Sequence, residues 1–243
     1  MKTILETITN APHMNISFAR CATTCSILLL GALSHFAHAA NPPIFAAVDA
    51  NDLPKVTQII KADENYLNIR DENGFTPLQR ASDPEKIAIA KFLIDSGADI
   101  DAKSVKFGTV LQHTVSSGNV ELVNILISKG VNVQANGGDG LSAMHRLAWV
   151  TDPAAAAAIF QMIYAKAPEL VDDPGECGVT PLFMCVDRVN APVAALLVSK
   201  GADPKKAPDG PDSSAAALLQ DRLAKEPDLA TELKAVAAAM KVP

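Results

Sequence analysis

The sequence predicts an all-α solenoid of about six helix-turn-helix units, and three observations predict it. A short motif returns along the chain: Gly74-Phe75-Thr76-Pro77-Leu78-Gln79-Arg80-Ala81 is echoed at Thr109-Val110-Leu111-Gln112, at Gly140-Leu141-Ser142-Ala143-Met144-His145 and at Gly178-Val179-Thr180-Pro181-Leu182-Phe183. Anchors at Thr76, Thr109, Ser142, Thr180 and Ser213 are spaced by 33, 33, 38 and 33 residues, a period that belongs to stacked supersecondary units. A second marker keeps step, with Ser96-Gly97-Ala98-Asp99, Lys129-Gly130-Val131-Asn132 and Lys200-Gly201-Ala202-Asp203 closing the second helices. The composition agrees: 49% of the 243 residues are hydrophobic but only 5% are aromatic, so small aliphatic side chains carry the load, as in close helix packing.

The first 39 residues stand outside this pattern. Arg20 precedes an apolar run from Cys21 to Phe36 centred on Ile27-Leu28-Leu29-Leu30, and Ala37-His38-Ala39 puts small side chains at the two positions a signal peptidase reads. Residues 1–39 are therefore expected to be an export leader cleaved after Ala39, with Met1 and Met14 both open as starts. The run is too short and too interrupted by Thr, Ser and His to cross a hydrocarbon core of about 30 Å. The full chain carries a net charge of −6; losing Lys2, Glu6 and Arg20 leaves 19 basic against 26 acidic side chains, a charge of −7. Such a surface repels phosphate backbones and anionic membranes, which argues against a nucleic acid partner and against stable membrane insertion after cleavage.

Each unit is expected to open with Thr or Ser as helix N-cap, with Pro next at Thr76 and Thr180, where its missing N–H costs nothing. The first helix of each unit would press on its neighbours through Ala47, Ala81, Thr114, Leu147, Cys185 and Ala217, mostly small residues. Ile87–Ile94 and Val120–Ile127 repeat apolar positions at helical spacing over a wide face, more than one unit can cover alone, so stacking must bury it. Gly97, Gly130 and Gly201 stand where a helix stops in a left-handed residue. The fourth unit is five residues too long. Its Ala154–Ala158 run favours helix, which predicts an extended second helix ended by Pro168 without a glycine cap, and this places the stacking of units four and five in question.

These features resemble the ankyrin repeat, whose pattern is a turn, then T-P-L-H-x-A opening one helix, then a second helix ending in G-A-D. Thr-Pro-Leu is intact at Thr76 and Thr180, and Ser116–Val123 matches the inter-helix segment. The resemblance covers about 41–243, with repeats at roughly 41–73, 74–106, 107–139, 140–177, 178–210 and 211–243, the first and last degenerate, as terminal units facing water on one side must be.

Catalytic signatures are missing from the sequence: there is no G-x-S-x-G, Walker loop or H-E-x-x-H, and no C-x-x-C after the leader. No enzyme activity, cofactor or metal is therefore expected. Two histidines follow the leader. The resemblance gives His145 a structural role, its imidazole tying a turn to the next unit, and His113, beside the equivalent Gln112, is read as a polar edge residue. Asp172-Asp173 lack the further spaced oxygen ligands of a calcium loop. Cys177 and Cys185 read as two small hydrophobes, and the sequence leaves open whether they pair.

The resemblance implies partner binding by a concave surface of turn tips and first-helix ends. Carried over by position, its contacts are Glu72, Asn73, Phe75 and Asp83 in the second unit and Val105, Lys106, Ser116 and Ser117 in the third. Asp139, Leu141, Trp149 and Val150 follow in the fourth, then Glu176, Val179, Asp187 and Arg188 in the fifth. Trp149 is the single tryptophan, a residue type enriched among interface anchors. The expected function is a protein-binding module without catalysis. Its leader and repeats resemble periplasmic bacterial ankyrin proteins that act as immunity proteins against toxins, and the acidic surface would steer a basic partner. The alternatives are a periplasmic factor for peroxide tolerance that supports an envelope enzyme, and a secreted, host-directed ankyrin protein.

Overall fold

Thr76, Thr109 and Thr180 stand just outside their helices with extended backbones, and each hydroxyl accepts the N–H three residues on, from Gln79, Gln112 and Phe183, at 3.3, 3.2 and 3.2 Å. Each cap satisfies a donor that a helix start leaves open, a contribution of about 1 kcal/mol. These caps set the register of the computed structural model, which describes residues 42–104, 108–176, 178–207, 210 and 214–241. All lie in the unit Ala37–Pro243. The expected leader, and Val105, Lys106, Cys177 and Ser213, fall outside the described residues.

Among the described residues twelve α-helices form six pairs. They are α1 (Pro43–Asp49) with α2 (Leu53–Ala62), α3 (Pro77–Arg80) with α4 (Ile87–Asp95), α5 (Val110–Ser116) with α6 (Val120–Ser128), α7 (Ala143–Arg146) with α8 (Pro153–Lys166), α9 (Pro181–Asp187) with α10 (Ala191–Ser199), and α11 (Ala215–Lys225) with α12 (Ala230–Met240). Every first helix touches the next first helix and every second helix the next second helix. This is the nearest-neighbour stacking of an ankyrin-repeat solenoid. The β-structure described is one short antiparallel pair, Lys103–Ser104 with Gly108–Thr109, in the turn before α5.

The core runs along this stack. Leu93, Leu122, Leu126, Ile159, Phe160, Leu182 and Leu197 are all buried between the two helix rows, where each large apolar side chain contributes about 2 kcal/mol. Gly97, Gly130 and Gly201 take φ of +93°, +86° and +98°. The residue after each returns its N–H to a carbonyl five back, as Ala98 does to Leu93 and Val131 to Leu126, which closes the helix as expected.

The last unit corrects one expectation. Its first helix is capped by Ser214, whose hydroxyl accepts the Ala217 N–H at 3.1 Å. It starts one residue later than a cap at Ser213 implies, so Leu219, buried to 1% exposure, takes the contact slot, and Ala217 is half-buried. Ala47, Ala81, Thr114, Leu147 and Cys185 fill that slot in the other units, all buried.

A polar ladder joins successive units along the inside of the turns. Gln79 Oε1 accepts the Thr76 N–H at 3.0 Å and its Nε2 donates to Gly108 O at 3.0 Å; Gln112 Oε1 accepts from Thr109 N at 3.1 Å and its Nε2 donates to Leu141 O at 2.5 Å. His145 does the same work in the fourth unit, with Nδ1 accepting the Ser142 N–H at 3.1 Å and Nε2 on Val179 O at 2.8 Å. Asn190 adds a second tie, its Nδ2 donating to Ala148 O and Val150 O at 3.1 and 2.9 Å. Units four and five are thus joined in spite of the long unit between their caps. Helix α8 has 14 residues against nine in α6 and α10, so the five extra residues are absorbed in the second-helix row.

Candidate functional site

The helix caps and the polar ladder fix one row of side chains with some precision. Arg80, His113 and Arg146 each stand four residues after a cap, at the ends of α3 and α7 and midway along α5. Beside them lie two half-buried aromatics, Phe75 and Trp149. The Phe75 and His113 rings meet edge to face at 5.0 Å, and the Arg80 guanidinium lies 5.9 Å from the Phe75 centroid. Around Trp149, Arg146 lies 5.2 Å and Arg188 4.6 Å from the ring centroid. Each such cation–ring contact is worth about 0.5–1 kcal/mol at a partly exposed site. Together they hold the indole in one orientation.

Ion pairs complete the cluster. Arg146 Nη2 is paired with Asp139 Oδ2 and Arg188 Nε lies 3.3 Å from Asp187 Oδ2. The Asp139 Oδ1 also accepts the Leu141 N–H at 3.2 Å. Asp139 and Asp187 are therefore each engaged by an arginine that contacts the Trp149 ring. Next to the indole a cleft of about 120 Å³ opens between units three and four, walled by Ser116, Ser117, Gly118, Trp149, Val150, Thr151, Asp152 and Ala155.

The structure therefore gathers Ser116, Ser117, Asp139, Trp149, Asp187 and Arg188 on neighbouring units. Glu72, Asn73, Asp83 and Glu176 are exposed, and Phe75 is half-buried. Three expected contacts are corrected: Leu141, Val150 and Val179 retain 2, 4 and 2% exposure. Leu141 and Val179 directly precede the caps Ser142 and Thr180, where backbone bonds to Gln112 and His145 pull them inward; Val150 points into the core and forms only the cleft wall. Val105 and Lys106 are among the residues outside the description. Sequence reasoning missed Arg146 and Arg80, although their shared distance from the caps was a visible signal.

Other titratable groups have structural explanations. His145 is fully buried, and loss of hydration pushes its pKa down to about 4, so the ring is neutral and Nε2–H donates to Val179. Burial pushes the Cys185 thiol up; Cys185 is free and buried. Burial also raises Asp172, an effect opposed by Lys206, whose Nζ is 3.4 Å from its carboxylate and donates to Asp172 O at 2.6 Å. Among the described residues no three His, Cys, Asp or Glu side chains gather as a metal site, and no helix is long and apolar enough to cross a membrane.

Comparison with known proteins places this geometry in context. The ankyrin repeat family model matches residues 73–105. A putative ankyrin repeat protein of fowlpox virus is 30% identical over 165 residues, 65% of this chain and 47% of its own. Mouse ankyrin repeat and SAM domain-containing protein 6 is 29% identical over 113 residues, 46% of this chain and 13% of its own. The chain thus spans less than half the length of either relative. Among solved structures, a chain from the complex of a predatory endopeptidase of Bdellovibrio bacteriovorus with an immunity protein superimposes with a TM-score of 0.63 at 26% identity, over 82% of this chain and 99% of that one. The human ASB11 ankyrin repeat domain gives 0.61 at 19% identity, over 81 and 83% of the two chains, a likeness of fold.

Proposed function

The chain is a member of the ankyrin repeat family, and from that premise we propose that this protein-binding module is an exported inhibitor, which neutralises a toxin or effector enzyme by occupying it. The likeness to the Bdellovibrio complex carries the proposal. That complex joins an endopeptidase to an immunity protein, and the similar chain is matched over 99% of its length. The surface supports the same role. A tryptophan whose ring is contacted by two arginines is restrained before binding, which lowers the entropy lost when a partner closes on it. An inhibitor needs such a surface and no chemistry of its own.

Residues 1–39 would deliver the chain to the periplasm, with processing after Ala39. The leading experiment captures the partner on tagged residues 40–243 from the cell envelope and assays the partner's toxic or hydrolytic activity as the chain is added. Loss of activity at equal stoichiometry is expected. A partner that binds and keeps its full activity removes the inhibitor reading, and an intact chain beginning at Met1 or Met14 in the envelope removes the cleaved leader.

A further inference from the structure

The cleft between units three and four has a mixed lining. Trp149, Val150 and Ala155 give it apolar surface, while Ser116, Thr151 and Asp152 bring side-chain oxygens to it. A cavity of about 150 Å³ accepts a benzene ring, so a cleft of about 120 Å³ takes one side chain and not a longer segment. Among the described residues that line it, Asp152 alone carries a charge, and Asp152 is exposed.

The sign of that charge survives its surroundings. Arg146 and Arg188, which contact the Trp149 ring, are balanced by Asp139 and Asp187. Asp152 caps helix α8, its Oδ1 accepting the Ala154 N–H at 3.0 Å. No ion pair or hydrogen bond from the described residues reaches its Oδ2. The start of a helix is equivalent to about half a positive charge, and the carboxylate brings a full negative one. About half a negative charge is left over, so the cleft attracts a cation and not an anion.

Shape then selects the cation. A guanidinium binds best to two oxygens of one carboxylate in parallel, but the cap bond has already taken one oxygen of Asp152. An ammonium donates three bonds in separate directions, and the cleft offers separate oxygens on Asp152, Ser116 and Thr151. A four-carbon stem can lie along apolar surface while its charged head stays among polar groups, which matches Val150 and Ala155 beside Asp152.

We infer that the partner places a lysine in this cleft, its ammonium on Asp152 Oδ2 and its stem against Trp149, Val150 and Ala155. This rests on the protein-binding reading above and deepens it, since it names the side chain that the partner presents between units three and four.

The inference is tested on the complex captured by residues 40–243. Asp152→Asn removes the charge and keeps a capping side chain, and should weaken binding of the captured partner about tenfold. Asp52 is the matched control: it caps the second helix of unit one in the same way, Oδ1 accepting the Lys55 N–H at 2.9 Å, and Asp52→Asn should leave binding within about threefold. Circular dichroism melting checks that both variants stay folded. A zero-length carbodiimide added to the wild-type complex should join Asp152 to a lysine of the partner, read by mass spectrometry. Equal binding by Asp152→Asn and wild type overturns the inference, as does an equal loss in Asp52→Asn, which would report overall charge alone. Weakened binding without a link from Asp152 to a partner lysine overturns the lysine assignment. Failure of the wild-type chain to hold any protein is a separate result, which removes the binding reading and this inference with it.

Discussion

Acidification should loosen the array through one buried imidazole, and His145→Gln should remove that sensitivity while keeping the fold. His145 is neutral in the folded chain because burial pushes its pKa down to about 4, against 6.5 for an ordinary histidine. The unfolded chain therefore takes up a proton below about pH 6.5 that the folded chain refuses until about pH 4. Its stabilising contribution is complete above the unfolded value and is lost as pH falls through that window, reaching about 3 kcal/mol at the bottom. Between pH 7 and pH 5 this group alone should remove about 2 kcal/mol. Gln79 and Gln112 show that an amide can take a cap N–H and give a bond to the next turn, so His145→Gln should cost no more than about 1 kcal/mol at pH 7. The assay is urea unfolding at pH 7 and pH 5, followed by the fluorescence of Trp149, which lies in the same unit. Other titrating groups are common to both proteins, so the difference between the two pH dependences isolates the imidazole. If wild type and His145→Gln lose the same stability between pH 7 and pH 5, the neutral buried tie is refuted.

Three further outcomes follow from the geometry. Leu141→Asp should unfold the centre of the array, because a buried carboxylate costs several kcal/mol, about 4, whereas Trp149→Ala should cost about 1 kcal/mol of stability but weaken partner binding by about 2 kcal/mol; calorimetric melting and titration against the captured partner separate the two. Gly130→Ala should destabilise by about 1 kcal/mol in denaturant titration, purely from its φ of +86°, since nothing lies within 4 Å of the added methyl group. Arg222 donates to Val186 O and Asp187 O at 2.8 and 2.7 Å and pairs with Glu226; Arg222→Ala should release the last unit by about 2 kcal/mol, seen as faster hydrogen exchange in α11 and α12 than in α5 and α6.

The architecture was legible because local signals and tertiary need coincide at the caps. Thr76, Thr109 and Thr180 announce helix starts, and the apolar excess of Val120–Ile127 announces that something must cover it. The last unit was harder: Ser213 and Ser214 are adjacent, either can cap, and only packing of Leu219 separates them. The site was legible in part. Position along the repeat pointed to Trp149, Asp139, Asp187 and Arg188, which the fold brings together, but it could not tell that Leu141 and Val179 turn inward. Apolar residues beside a turn look exposed in a linear pattern, and their burial depends on the hydrogen bonds that Gln112 and His145 make across units. The pairing of Asp139 and Asp187 with arginines was equally invisible, since charge counts carry no geometry.

The long helix α8 bears on how such a chain can diverge. His145 bridges 34 residues to Val179, where Gln79 and Gln112 each bridge 29, yet the inner contact has the same form. An insertion at the outer row is thus invisible from the inner one. A lineage can thus vary the length of its outer helices at little cost, and keep the spacing of its inner turns constant while doing so.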